Sequence, residues 1–258
     1  MISVRSNSLD PLNMHEWRWM TFLDEIIKSI ANLNPHPYPI PIEFLHKEEF
    51  FGPKQNIQKA TTVTWAFTSE KIRQGRAACV YAGDRASVLN FVVSPFHNYD
   101  LPFFGADFVT LSSGHLLALD LQPALKDDWI HTNNVWSRLN PIHKKWQSLL
   151  PSGGPIPDEA KSFFSPGFLW SRIPLGVEGD KIISNILKPA FIDYLSLYLN
   201  LLDKASEVDE DRSIKLLQGQ RLYMHYRAKK DPARGMLKSF YGSDWTEKYI
   251  NRVLFDLK

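Results

Sequence analysis

The chain has 258 residues, 44% hydrophobic and 22% charged, with a formal net charge of +2. Those proportions exclude an intrinsically disordered chain, and the near-zero charge carries no signature of nucleic-acid binding. A single cysteine, Cys79, excludes an internal disulfide and a cysteine-based metal or iron–sulfur centre.

No apolar run approaches the roughly 18 residues that a membrane span needs. Residues 1–13 lack a signal-peptide core and are short for a transit peptide, so a reducing, soluble compartment is expected. A first helix is expected over 16–33, where Trp19, Phe22, Leu23, Ile26, Ile27 and Ile30 recur at three-to-four spacing. The proline-rich stretch 35–41 must be extended. Strand candidates follow at 59–68, 71–81, 86–95, 104–112 and 115–122, separated by turn residues such as Gly83, Asp84, Pro95, Ser113 and Gly114. Short connectors favour antiparallel neighbours, with Ser112-Ser113-Gly114 as a hairpin turn. Beyond Pro123 the pattern turns helical, at 131–148, 180–204, 207–229, 232–241 and 243–254, with an extended piece at 167–173. The glycine- and proline-rich stretch 151–155 reads as a loop within one domain rather than a boundary. Strands first and helices after argue for an α+β fold over 1–258, helices packed on an antiparallel sheet, with 1–15 flexible.

Asp107 is the residue most at odds with its surroundings. It lies in an apolar strand, where Gly105, Asp107 and Val109 share one face and Phe104, Ala106 and Phe108 the other. Dehydration there raises a carboxyl pKa, which lets the group hold and release a proton near neutrality. The competing reading is a carboxylate satisfied by backbone donors. Asn90 shares a face with Val88 and Val92, as a core hydrogen-bonding group or a ligand contact. Asp120 and Gln122 end a strand, as turn caps or pocket residues. Asp231 precedes Pro232 and reads as a helix N-cap, or as a second acid for the pocket of Asp107. Arg172 and Arg234 suit either a ligand carboxylate or a surface ion pair. Ser113 and Gln122 complete the candidate substrate contacts.

The eight histidines show no metal-ligand spacing; His115, His131 and His143 read as surface or capping residues. Cys79 reads as a buried structural thiol. The acidic run 203–211 and the basic run 225–238 are solvated helix faces or, for the basic one, a surface for an acidic partner. No dinucleotide fingerprint, P-loop, zinc-protease helix or nucleophile elbow is present. Composition and spacing therefore give an α+β domain with two suspect acids and name no reaction.

Longer segments carry more. Ser87-Val88-Leu89-Asn90, the stretch 99–107 (YDLPFFGAD), the stretch 115–123 (HLLALDLQP), Phe163-Phe164-Ser165-Pro166 and the stretch 227–235 (RAKKDPARG) together resemble the ferredoxin-dependent bilin reductases, over nearly the whole chain. Residues 153–170 and 216–221 are similar to the phycoerythrobilin-forming branch. The resemblance implies a three-layer α/β/α sandwich with a central antiparallel sheet, and an open-chain tetrapyrrole held between sheet and C-terminal helices. It implies no bound cofactor, flavin or metal, with electrons arriving singly from reduced [2Fe–2S] ferredoxin. The implied reaction is reduction of the A-ring diene of 15,16-dihydrobiliverdin through bilin radicals.

By the same resemblance, Asp107 falls on the family's proton-donating central-strand aspartate and Asp231 on the C-terminal aspartate of phycoerythrobilin-forming members. Asn90 stands where the phycocyanobilin-forming branch has a histidine, and that branch's glutamate would lie near Ala78, which carries no proton. Arg172 and Arg234 become candidates for the bilin propionates, and 225–238 for docking acidic ferredoxin. A monomer is expected, without nucleic-acid or membrane partners, in a cyanobacterial cytoplasm or a plastid stroma. Hand-over of substrate from the preceding dihydrobiliverdin-forming reductase is a further expectation. Reduction of the 15,16 bridge of biliverdin and a non-catalytic bilin carrier remain open as alternatives.

Overall fold

The computed structural model describes residues 17–156 and 158–256; the segment 1–15, expected to be flexible, lies outside them. Alternating side chains from 58 to 122 build one antiparallel sheet. β1 (His36–Pro37) and β2 (His46–Phe51) both pair with β3 (Gln58–Thr68). β4 (Ile72–Tyr81), β5 (Ala86–Pro95), β6 (Phe103–Leu111) and β7 (Gly114–Gln122) follow in chain order, and β8 (Leu169–Ile173) closes the other edge. The strand candidates at 59–122 thus hold to within a residue or two. β2 has no counterpart among them: its sequence HKEEFF lacks an apolar alternation and is mostly exposed. Charged side chains of this kind are common on edge strands.

Helices cover both faces. α1 (Met20–Ile30), α3 (Trp129–Gln147) and α6 (Lys188–Lys204) pack on one; α7 (Glu210–Lys230) and α8 (Arg234–Tyr249) on the other. α2 (Ile42–Leu45), α4 (Asp158–Lys161) and α5 (Val177–Ile182) are short connectors. The result is the three-layer α/β/α arrangement. Asp128 caps α3 by accepting from the His131 N–H at 2.9 Å, and Asp209 caps α7 by accepting from the Arg212 N–H at 2.8 Å. The helix expected over 180–204 starts earlier, at Val177, and contains a π-helical turn at Ile183–Leu187. The last two expected helices are one element kinked at Gly242, whose φ of 79° is a left-handed conformation suited to glycine. It runs on into a second π-helical turn, Ile250–Leu254.

The face under α1, α3 and α6 is the main core. Phe108 meets Trp19, Phe22 and Phe191 with ring centroids 5.4, 5.0 and 5.7 Å apart. Each apolar side chain fully buried there contributes about 1.5–3 kcal/mol. Cys79 points into this core, and burial pushes its thiol up to about 12.

Candidate active site

Strand register sets the opposite face. Ala78 lies opposite Asn90, Asn90 opposite Asp107, Asp107 opposite Ala118, and Ala118 opposite Trp170. One row of side chains thus crosses five strands. The neighbouring row is Val80, Val88, Val109, Leu116 and Arg172, and the row on the other side carries Arg76, Val92, Gly105 and Asp120. Small residues at 78, 105 and 118 leave space beneath α7 and α8. A cavity of about 480 Å³ fills it, walled by Phe164, Phe168, Trp170, Tyr223, Tyr226 and Tyr249 among others. Its size and aromatic walls suit a large flat ligand. Glu159 and Lys230 line the cavity and pair at 2.9 Å.

Asp107 and Asp231 both line this cavity. Asp107 is half-buried, and what it exposes opens into the cavity. Its partner is not the backbone, as one sequence reading had it, but the Asn90 amide, which donates to it. The Asn90 amide is itself oriented: Arg76 Nη2 donates to Asn90 Oδ1 at 2.9 Å, so the NH₂ edge is left for Asp107. Dehydration pushes the Asp107 carboxyl above its usual range, against the pull of Arg227 and Asn90, and the charge of Asp231 raises it further. Burial likewise raises Asp231, opposed first by Arg227 and then by the Ala233 N–H.

Asp231 follows directly on the last residue of α7. Its Oδ1 accepts from the Ala233 N–H at 2.7 Å, which closes a turn between α7 and α8, and its side chain lines the cavity. Asp231 is therefore not the expected N-cap: α8 begins at Arg234 with Ala233 at its N-cap, because the 231–233 turn intervenes. Asp120 does not cap a turn of its own. It accepts from the Ser165 N–H at 2.9 Å and from the Ser165 hydroxyl, which anchors the loop carrying Phe164 and Phe168. Burial pushes Asp120 up to about 7. Gln122 lines the cavity and accepts from the Tyr223 hydroxyl, whose ring stacks on Phe103 at 4.3 Å.

Three expected contacts lie outside the cavity lining. Ser113 is at the exposed β6–β7 turn, beyond the strands that form the floor. Arg234 donates to Glu247 and to the Ala228 carbonyl, so its guanidinium is engaged by its own helices instead of facing a ligand. Arg172 does sit on the cavity face by alternation, in the row of Leu116 and Val109, but exposed on the outermost strand. His115 and His131 are buried rather than superficial. His115 meets Thr110 at 2.9 Å on the dry face, and burial lowers it to about 4. His131 accepts from the Ala124 N–H at 3.0 Å and meets Asp100 at 2.5 Å.

Sequence reasoning passed over Arg76, Tyr223 and Arg227. Arg227 lines the cavity one helical turn before Asp231, and that spacing of four places both on one helix face. The surrounding basic run hid the signal. Arg76 shares the alternation of Ala78 and Val80, which would have put it on the face of Asn90. Among the described residues, no cluster of three or more His, Cys, Asp or Glu could hold a metal ion, and no helix is long and apolar enough to cross a membrane.

A family model described as ferredoxin-dependent bilin reductase matches residues 23–256. Similar curated proteins include a phycoerythrobilin:ferredoxin oxidoreductase of Prochlorococcus marinus (strain MIT 9211), 62% identical over 98% of each chain. Another, from Synechococcus sp. (strain WH8020), is 59% identical over 100% of each. Among solved structures, phytochromobilin synthase from tomato in complex with biliverdin is 26% identical with a TM-score of 0.83, covering 93% of this chain and 83% of that one. The family match spans the sheet, both acids and the helices above them, and on that basis the chain belongs to the ferredoxin-dependent bilin reductases and is a bilin oxidoreductase.

Proposed function

We propose that this enzyme reduces the A-ring diene of 15,16-dihydrobiliverdin to phycoerythrobilin, with ferredoxin supplying electrons one at a time and Asp107 and Asp231 supplying protons. The observation that carries the reading is the pair of acids. They come from a central strand and a helix end, line one aromatic-walled cavity, and are both raised above the usual carboxyl range by dehydration. The names of the cyanobacterial relatives support the product, and the biliverdin bound by the tomato protein supports an open-chain tetrapyrrole in this cavity.

The chemistry follows from the surroundings. One electron added to a conjugated bilin makes its carbons and pyrrole nitrogens more basic, and a neutral carboxylic acid in reach can protonate them. The carboxylate left behind is offset by Arg227 at both acids, and by the Asn90 amide at Asp107. Asn90 carries no transferable proton in this range, so it holds Asp107 rather than supplying a proton of its own. Arg172, exposed on the edge strand β8 and on the cavity face by alternation, is the remaining candidate for a propionate, since Arg234 is engaged elsewhere. No bound flavin or metal enters this reading, which takes the chain as a single domain acting as a monomer. Cyanobacterial relatives favour a cyanobacterial cytoplasm over a plastid stroma.

Ferredoxin docking is assigned to the outward face of α7. The basic run 225–238 divides by helix geometry: Arg227 turns inward, Lys230 pairs with Glu159, and Arg234 and Lys238 pair with Glu247. Lys215, Arg221, His225 and Lys229 are exposed along α7 and offer an acidic partner a positive surface. The inner side of the same helix lines the cavity, about 10 Å away across its width.

An anaerobic assay with reduced ferredoxin tests the reading. Asp107→Asn is expected to bind bilin and stall; turnover at the wild-type rate would remove Asp107 as proton donor. Chromatography of products from biliverdin and from 15,16-dihydrobiliverdin separates A-ring reduction from reduction of the 15,16 bridge.

A further inference from the structure

We infer that Arg76 is a positioning residue for proton delivery: it locks the Asn90 amide so that its NH₂ edge holds Asp107, and its charge favours the carboxylates left after each transfer. The inference rests on the reading of Asp107 and Asp231 as proton donors.

Arg76 is completely buried on β4. Removing a guanidinium from water costs several kcal/mol unless it is well paired. Yet its hydrogen bonds go to two oxygens of one uncharged residue, Asn90 Oδ1 at 2.9 Å and Asn90 O at 3.4 Å. Its Nε has no partner among the described residues. Its charge is met at longer range, by Tyr249, Asp231 and Asp107, with Arg227 opposing. A purely structural position on this face would take an aliphatic side chain, as Val80, Val88 and Val92 do.

The fork has a chemical consequence. An amide presents either NH₂ or oxygen to its neighbour. The NH₂ edge stabilises ionised Asp107, whereas the oxygen would accept a hydrogen bond from the neutral acid and hold its proton back. With Asn90 Oδ1 held by Arg76 at 2.9 Å, the NH₂ edge is the one turned to Asp107. The groups facing this centre are Arg76 from β4, Asp120 from β7, Tyr223 and Arg227 from α7, Asp231 after it, and Tyr249 from α8. Arg76 acts on both acids in the same direction, favouring the ionised form.

The test is the pH profile of single turnover with 15,16-dihydrobiliverdin and reduced ferredoxin, for wild type, Arg76→Lys and Arg76→Gln. Activity is lost at alkaline pH as the donor acids deprotonate. Arg76→Gln removes a cation, so that alkaline limb should move up by about one pH unit. Arg76→Lys keeps the charge and loses the fork, so the limb should stay while the rate falls about tenfold, as expected of a displaced donor. Folding is checked by near-ultraviolet circular dichroism. A folded Arg76→Gln enzyme with an unshifted limb overturns the inference. If Arg76→Gln does not fold, Arg76→Lys decides: a wild-type rate overturns the inference, and a slowed rate with the limb in place supports it. Asp107→Asn keeps the two readings apart. Its turnover at the wild-type rate sinks the proton-donor assignment whatever Arg76 does. A stalled Asp107→Asn beside an unaltered Arg76→Gln sinks only the role of Arg76.

Discussion

Consecutive residues of β6 serve two different environments. Phe104, Ala106 and Phe108 face α1 and α6 and are shut off from water, whereas Gly105, Asp107 and Val109 face the cavity and keep partial exposure. β4, β5 and β7 alternate between the same two faces, although there most of the cavity-side residues are buried as well. One face gathers aromatic and aliphatic side chains whose burial stabilises the fold. The other keeps Arg76, Asn90, Asp107 and Asp120, whose dehydration works against it. Alternation therefore lets chemistry and stability be set independently, one residue apart, provided that the register holds.

That separation can be broken from either side. The largest effect belongs to the wet face: Asp107→Asn should cut turnover by about 10²- to 10⁴-fold, measured in single turnover, with no loss of melting temperature. On the dry face Phe108→Ala should cost about 3–5 kcal/mol in urea unfolding, while the molecules that remain folded turn over with an unchanged pH profile. If either variant shows the other's signature, the two faces are coupled and the comparison fails.

Asp120 makes the cavity face sensitive to pH. Its carboxyl moves from 3.8 to about 7 on folding, so the native state binds the extra proton between those values. Stability should therefore fall as pH rises through that window, by a few kcal/mol in order of magnitude, and be lowest above it. Asp120→Asn should flatten the dependence, read as a smaller difference in melting temperature between mildly acidic and mildly alkaline buffer. Asp107 and Asp231 are shifted in the same direction, so some slope should survive. The smallest effect is expected on the outer surface: Lys145→Ala, which breaks an exposed pair with Asp193, should change stability by about 0.5 kcal/mol or less.

Strands β3 to β7 were legible because one face of each is apolar and glycine, proline or serine marks each turn. β2 was not, since its pattern of His, Lys and Glu arises from pairing at an edge rather than from burial. Asp107, Asn90 and Gln122 could be found because a polar side chain in an apolar strand is conspicuous against period two. Arg227 was hidden because a helix spreads a basic run around its circumference, and only the spacing to Asp231 tells the inward member from the rest. For Arg234 the ion-pair alternative is the one the structure shows: its position three residues after Asp231 suggested a ligand contact, whereas Glu247, thirteen residues on, pairs with its guanidinium. His131 was misplaced because Asp100 and Ala124, which satisfy its ring, are brought to it only by the tertiary fold.

The register that brings Arg76, Asn90 and Asp107 together draws on neighbours in sequence. These three residues lie on consecutive hairpin-linked strands, so their alignment closes only short loops and can form early in folding. Asp231 and Arg227 belong to the last quarter of the chain and reach the cavity only when α7 docks. A chain stopped before α7 would carry the central acid and its support without the second acid or its neutralising cation. The second acid and its cation therefore join Asp107 in the cavity only once α7 is in place.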